Sequence, residues 1–245
     1  MTLARHVGAA LVAAVAVWAL SVSLSAFRDY QIADIAVYVV AIAGLTMLIG
    51  LSGQISLGNG AFMAVGAYAT ALLQLHLNWP LWALFPASAA IAAVTGAAVG
   101  VAAARLRGPY LAGATLMLAV ALPSLATQFS GVFGGDQGLP VTVVPPAALG
   151  AAFPLTRWLA WVNAGTALIV LVLLANLARS RIGRSWQAIR DNETAAALAG
   201  LNVAGLRILA FVVSAACAGL AGAMLAAYSS QVSPARSPSP CRSRC

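Results

Sequence analysis

The chain is 245 residues long, 62% hydrophobic and only 7% charged, with a mean hydropathy of +0.94; a soluble domain carries roughly 25% charged residues, so this is an integral membrane protein. Its net charge of +8 rests on 13 arginines with no lysine anywhere, which excludes a lysine-bearing phosphate-binding loop and Schiff-base chemistry. The arginines sit between apolar runs and not on one folded basic face, which speaks for membrane orientation and against nucleic acid.

Apolar runs fall near residues 7–27, 32–50, 54–75, 81–104, 109–129, 158–177 and 206–228, each close to the ~20 residues of a membrane-spanning helix. The expected fold is an all-α polytopic helix bundle with about seven transmembrane helices, residues 1–235 forming the transmembrane domain. A transmembrane barrel needs alternating segments of ~10 residues, and no such set of segments is evident. The first run follows Arg5 and ends near Ser23-Leu24-Ser25, which also fits a cleaved signal peptide; the further spans make a retained anchor the better reading. With the amino terminus inside, Arg5, Arg105, Arg107, Arg179, Arg181, Arg184, Arg190 and Arg207 face the cytoplasm, leaving Arg28 and Arg157 outside before the tail. The positive-inside rule favours this orientation.

The third run is unusual. "GLSGQISLGNGAFMAVGAYATALL", residues 50–73, carries polar and glycine residues where a spanning helix is expected. An unpaired backbone group in hydrocarbon costs several kcal/mol, so a loosened helix survives only against protein or a water-filled cavity. Ser52, Gln54, Ser56 and Asn59 are therefore expected to face inward, with Gln54, Ser56 and Asn59 lining or shaping a translocation path. Gly53, Gly58 and Gly60 would break the helix or admit close backbone approach, and Gly60, Ala64, Ala67 and Ala71 would form a packing seam. Helix packing alone is the competing explanation for each residue. No charge lies at the centre of a span, Asp34 coming closest near the outer interface, which argues against an ion-coupled secondary transporter or channel.

After "HLNWP", Trp79 and Trp82 read as interfacial anchors on the outer side. Two connections are long: residues 130–157, rich in Gly and Pro and predicted outside, and 178–207, predicted inside. In the latter, Asp191 or Asn192 can cap a short helix over 193–199 and Gly200 can close it in a left-handed conformation. Trp186, Ile189 and Leu198 would form the apolar side of this unit. The small-residue stripe from Ala195-Ala196 to Ala199-Gly200 invites a partner, whereas a basic loop that sets orientation and binds lipid headgroups is the alternative. His6 and His76 lie at span ends, and Cys217, Cys241 and Cys245 show no metal spacing, so no metal or cofactor is expected. Residues 236–245 break every earlier pattern. They read as a frameshift tail, because one restored base in a plausible coding sequence turns the other frame into "RFTFAVSIEV"; a disordered extension is the alternative.

Together "GLSGQISLGNGAFMAVGAYATALL", "RLRGPYLAGATLML", "GGDQGL" with its following proline pair, and "SRIGRSWQAIRDNETAAALAGLNVAGLRILAFVVSAACAGLAGAM" resemble the permease subunits of branched-chain amino acid ABC transporters, nearer the M-type than the H-type. The resemblance covers about residues 30–235. It implies a non-enzymatic subunit of a bacterial inner-membrane importer. Its partners would be a second permease, separate ABC ATPase subunits, and a periplasmic binding protein that delivers a small amino acid. It also implies an ATPase-docking loop carried by Glu193, Ala195, Ala196 and Gly200, with Arg184, Arg190 and Asp191 around them. Thr194 here separates the glutamate from the alanines, and the hydrophobic-plus-proline end of the general ABC motif is missing. Urea and short-amide permeases share much of the pattern. The family continues with a further membrane hairpin, so a chain that truly ended at Cys245 is expected to be inactive or unstable, and a non-functional truncated remnant is the alternative.

Overall fold

The computed structural model describes residues 26–77, 79–103, 109–129, 133–134, 138–141, 143, 154–229 and 231–232. The expected first span and its signal-peptide alternative, Arg5, His6, Arg105, Arg107, most of the 130–157 connection and the 236–245 tail with Cys241 and Cys245 lie outside the described residues.

Eight helices follow in chain order among the described residues: α1 (Ala26–Thr46), continued by a π-helical turn (Met47–Leu51), α2 (Asn59–Leu77), α3 (Leu81–Ala103), α4 (Pro109–Gln128), α5 (Leu155–Arg179), α6 (Arg181–Asp191), α7 (Glu193–Leu198) and α8 (Val203–Ser229). Among the described residues, six stretches are long and apolar enough to cross a membrane: Arg28–Leu51, Asn59–Leu77, Leu81–Ala102, Tyr110–Gln128, Leu155–Arg179 and Val203–Ser229. They correspond to the second through seventh apolar runs, and the protein is an all-α, multi-pass membrane protein. A two-residue antiparallel pairing, Leu139 with Val232 and Pro140 with Gln231, ties the described part of the 130–157 connection to the end of α8.

Side-chain contacts define the two ends of the bundle. At the far end, Tyr30 at the start of α1 stacks on Tyr228 at the end of α8, with ring centroids 4.3 Å apart. Beside them Asp29 pairs with Arg157 of α5 at 3.4 Å. The linker end carries α6 and α7. Asp34, the charge expected to come closest to the centre of a span, is half-buried in α1; Asp29 is buried, 1% exposed, in the first turn of its helix, where a carboxylate complements the helix dipole.

Close packing centres on α8, where 61% of the spanning window is buried, against 17% for α4. Small residues let backbones touch. A Cβ on Gly66 of α2 would stand 2.0 Å from the Gly219 carbonyl oxygen, and one on Gly222 would stand 1.9 Å from that of Met63. The seam of α2 thus runs through Met63 and Gly66, with Phe62, Ala67 and Ala71 also buried. Gly60 does not belong to it: this residue is exposed, and a Cβ there would meet nothing within 4 Å. The helix has only just begun at Asn59, and its first turn presents Gly60 outward.

The third predicted span, 54–75, starts late. Residues 53–56 have no regular structure and α2 begins only at Asn59. Gly53 has φ +69°, a left-handed conformation that ends a right-handed helix, and the chain leaves the π turn extended.

Candidate functional site

From Ser52 to Gly58 burial alternates strictly. Ser52, Gln54, Ser56 and Gly58 are buried, while Gly53, Ile55 and Leu57 are exposed. This is the period of an extended chain, whose successive side chains point to opposite faces. The polar residues therefore turn into the protein and Ile55 and Leu57, each 54% exposed, turn out. The alternation of Gln54, Ile55, Ser56 and Leu57 is visible in the sequence; its helical surroundings conceal it.

The segment also climbs into the bundle. Gln54 Nε2 donates to Ser52 Oγ at 3.0 Å and to the Arg207 carbonyl at 3.4 Å, at the linker end. Three residues on, the Leu57 amide donates to Thr115 Oγ1 at 3.0 Å, and a Cβ on Gly58 would lie 3.0 Å from the Thr115 carbonyl oxygen. Thr115 stands six residues past the start of α4, roughly 9 Å along its axis. Asn59 Nδ2 then donates to the Ala41 carbonyl at 3.4 Å. Ala41 lies ten residues before the end of the π turn, roughly 15 Å along α1. A non-helical strap thus runs part of the way along the bundle, its polar face held by contacts to α1, α4 and α8, the kind of cover that backbone at membrane depth requires.

The two amides at its ends keep an acceptor in reserve. Because backbone carbonyls accept only, the bonds to Arg207 and Ala41 fix both amide orientations. Gln54 Oε1 and Asn59 Oδ1 are buried without a partner among the described residues. Ser56 Oγ accepts from the Gly58 amide at 3.4 Å. These side chains are enclosed within the chain itself. The large groove of about 630 Å³ lies elsewhere, lined by apolar residues of α2, α3 and α4 such as Tyr68, Leu72 and Leu122.

The linker holds two helices where sequence reasoning placed one. The longer, α6, is capped by Ser180, whose Oγ accepts from the Gly183 amide. Ile182, Trp186 and Ile189 recur at helical spacing and turn one face to the bundle, a signal present in the sequence. Trp186 and Ile189 are buried, and Trp186 Nε1 donates to the Leu206 carbonyl at 2.8 Å. Helix α7 is capped by Asn192, whose side chain accepts from the Ala195 amide at 3.0 Å. It ends with the Leu201 amide on the Ala196 carbonyl, the Gly200 amide on the Ala197 carbonyl and Gly200 at φ +84°, the Schellman arrangement.

Leu198 is a correction: it is 86% exposed and does not share the apolar side with Trp186 and Ile189. A helix of six residues buries only one narrow face, and Ala196 occupies it. Of the other linker residues singled out from the sequence, Arg184, Asp191, Ala195 and Gly200 are exposed. Two make contacts with the bundle, Arg190 from an exposed position and Glu193 from a part-exposed one. Arg190 Nη1 donates to the Gly50 carbonyl, and Glu193 pairs with Arg207 at 2.8 Å.

Residues 27–239 match the family described as branched-chain amino acid transport system / permease component. The chain is 33% identical to the high-affinity branched-chain amino acid transport system permease protein LivM of Escherichia coli strain K12, and 32% identical to that of Salmonella typhimurium strain LT2. Each match covers 81% of this chain and 52% of the relative. The chain thus spans about half the length of the curated relatives it matches. No solved structure matches it. A broken, apolar bundle with a capped linker helix and this likeness along most of its length leads to one conclusion: the chain belongs to the branched-chain amino acid transport permease family.

Proposed function

We propose that the protein is the membrane subunit of an ATP-driven importer in a bacterial inner membrane, moving branched-chain or related small amino acids. A second permease would complete the path, separate ATPase subunits would supply the energy, and a periplasmic binding protein would deliver substrate. The chain itself carries no chemistry beyond binding and movement. The observation that carries this reading is α7, a capped helix presenting Leu198 to solvent while α6 anchors it through Trp186 and Ile189. An exposed leucine beside an exposed Ala195 and an open Gly200 suits a groove on a soluble partner. In this reading the linker end is cytoplasmic, which agrees with the arginines of 179–207.

The path would run beside the strap. Gln54 Oε1 and Asn59 Oδ1, without a partner among the described residues, are acceptors suited to an ammonium group, and Ser56 adds a hydroxyl. They are closed off within this chain, so transport requires the strap to move. Substrate choice among amino acids, urea and short amides would rest largely with the binding protein. The test is uptake into proteoliposomes containing the assembled transporter, with labelled leucine, valine and urea. ATP-dependent leucine or valine uptake supports the proposal; urea uptake alone would overturn its substrate.

A further inference from the structure

The linker and the strap are joined by two separate sets of contacts, and both converge on residues 50–54. The first set belongs to α6. Arg190, in its last turn, donates to the Gly50 carbonyl inside the π turn, where a helix terminus leaves acceptors free and favours a cation. Its stem also covers Gly53, whose Cβ would stand 3.2 Å from Arg190 Cγ. The second set belongs to α7. Glu193, its first residue, holds the Arg207 guanidinium at 2.8 Å, and the Arg207 carbonyl accepts from Gln54. Beyond these contacts the strap reaches Thr115 and Ala41.

The strap has hinge features at its start. A π turn spans Met47–Leu51, a form that recurs at functional sites, and Gly53 follows at φ +69°. We infer that Arg190 and the Glu193–Arg207 pair are positioning residues that transmit movement of α6 and α7 to the strap, so that a load on the linker shifts residues 50–58 and the start of α2. This rests on the proposal that an ATPase docks on α7. The linker is then more than a landing surface: the contacts of Arg190 and of the Glu193–Arg207 pair hold the broken span shut.

Hydrogen–deuterium exchange of peptides covering residues 50–58 tests this. The amides of Gly53, Gln54 and Leu57 are bonded, so their exchange reports strap opening. In the chain alone in lipid nanodiscs, Arg190→Ala is expected to speed exchange at 50–54 by roughly tenfold, the equilibrium worth of one hydrogen bond to a charged group. Exchange within 62–77 should not change, and Arg190→Lys should restore part of the protection. In the assembled transporter, nucleotide should alter exchange at 50–58 in the wild type and not in Arg190→Ala, while the ATPase still co-purifies. If Arg190→Ala fails to fold, Glu193→Gln reads the second route and should blunt the nucleotide response. Unaltered exchange in the nanodisc variants, a nucleotide response that survives both substitutions, or loss of the ATPase from Arg190→Ala would each overturn the inference. The docking proposal is separated by Leu198→Asp: retention of the ATPase there defeats docking, whereas docking with no nucleotide response at 50–58 defeats transmission alone.

Discussion

The seam between α2 and α8 and the strap at residues 52–58 both lie inside the bundle, yet they are held by opposite means. At the seam, backbone meets backbone, because Gly66 and Gly222 leave no room for a side chain. Along the strap, single polar contacts from Gln54, Leu57 and Asn59 reach three different helices. Dispersion between close backbones sums over many atoms and yields only by separating the helices. Isolated hydrogen bonds can be exchanged one at a time. On this comparison α8 is the stiff element, and the strap is the element inferred to move.

Substitutions can break this comparison, beginning at the seam. Gly222→Leu puts a side chain where even a Cβ lies 1.9 Å from the Met63 carbonyl oxygen; the cost is at least about 3 kcal/mol. No monodisperse folded species should survive detergent extraction. Gly53→Val forces a β-branched residue into φ +69° and costs about 1–2 kcal/mol, read as a lowered melting midpoint with the seam intact. Gln54→Leu removes the bonds to Ser52 and Arg207 at about 1 kcal/mol, and should slow uptake more than it lowers the melting point. Leu198→Asp alters an exposed position, so stability should stay within about 0.5 kcal/mol while ATPase co-purification is lost. An equal melting shift for Gly222→Leu and Gln54→Leu would erase the distinction between seam and strap.

Much of the architecture is legible in the sequence because bilayer thickness demands long apolar runs, and these mark six described spans. What hydropathy does not carry is which span lies inside. Both α8 and α4 read as apolar, yet α8 is rich in Ala and Gly and central, while α4 leaves Met117 and Val120 exposed. Residue size, more than polarity, separates them in a membrane. The late start of α2 depends on Gly53 and Gly58, and Gly60 looks identical in sequence while packing against nothing. At the linker, Asn192 and Gly200 announce α7 through local capping chemistry. The contacts of Arg190 and Glu193 are made with Gly50 and Arg207, 140 and 14 residues away, and no local pattern encodes them. Leu198 illustrates the limit of apolarity as a guide to burial, since its helix is too short to bury both leucine and Ala196.

A photocrosslinking amino acid placed at position 198, with a second variant carrying it at position 117 of α4, gives the most direct test in membranes containing the assembled transporter. Capture of the ATPase subunit from position 198 and not from position 117 is the predicted result. Capture from neither position, with the transporter intact and active, would contradict the proposal that α7 is the surface on which an ATPase docks.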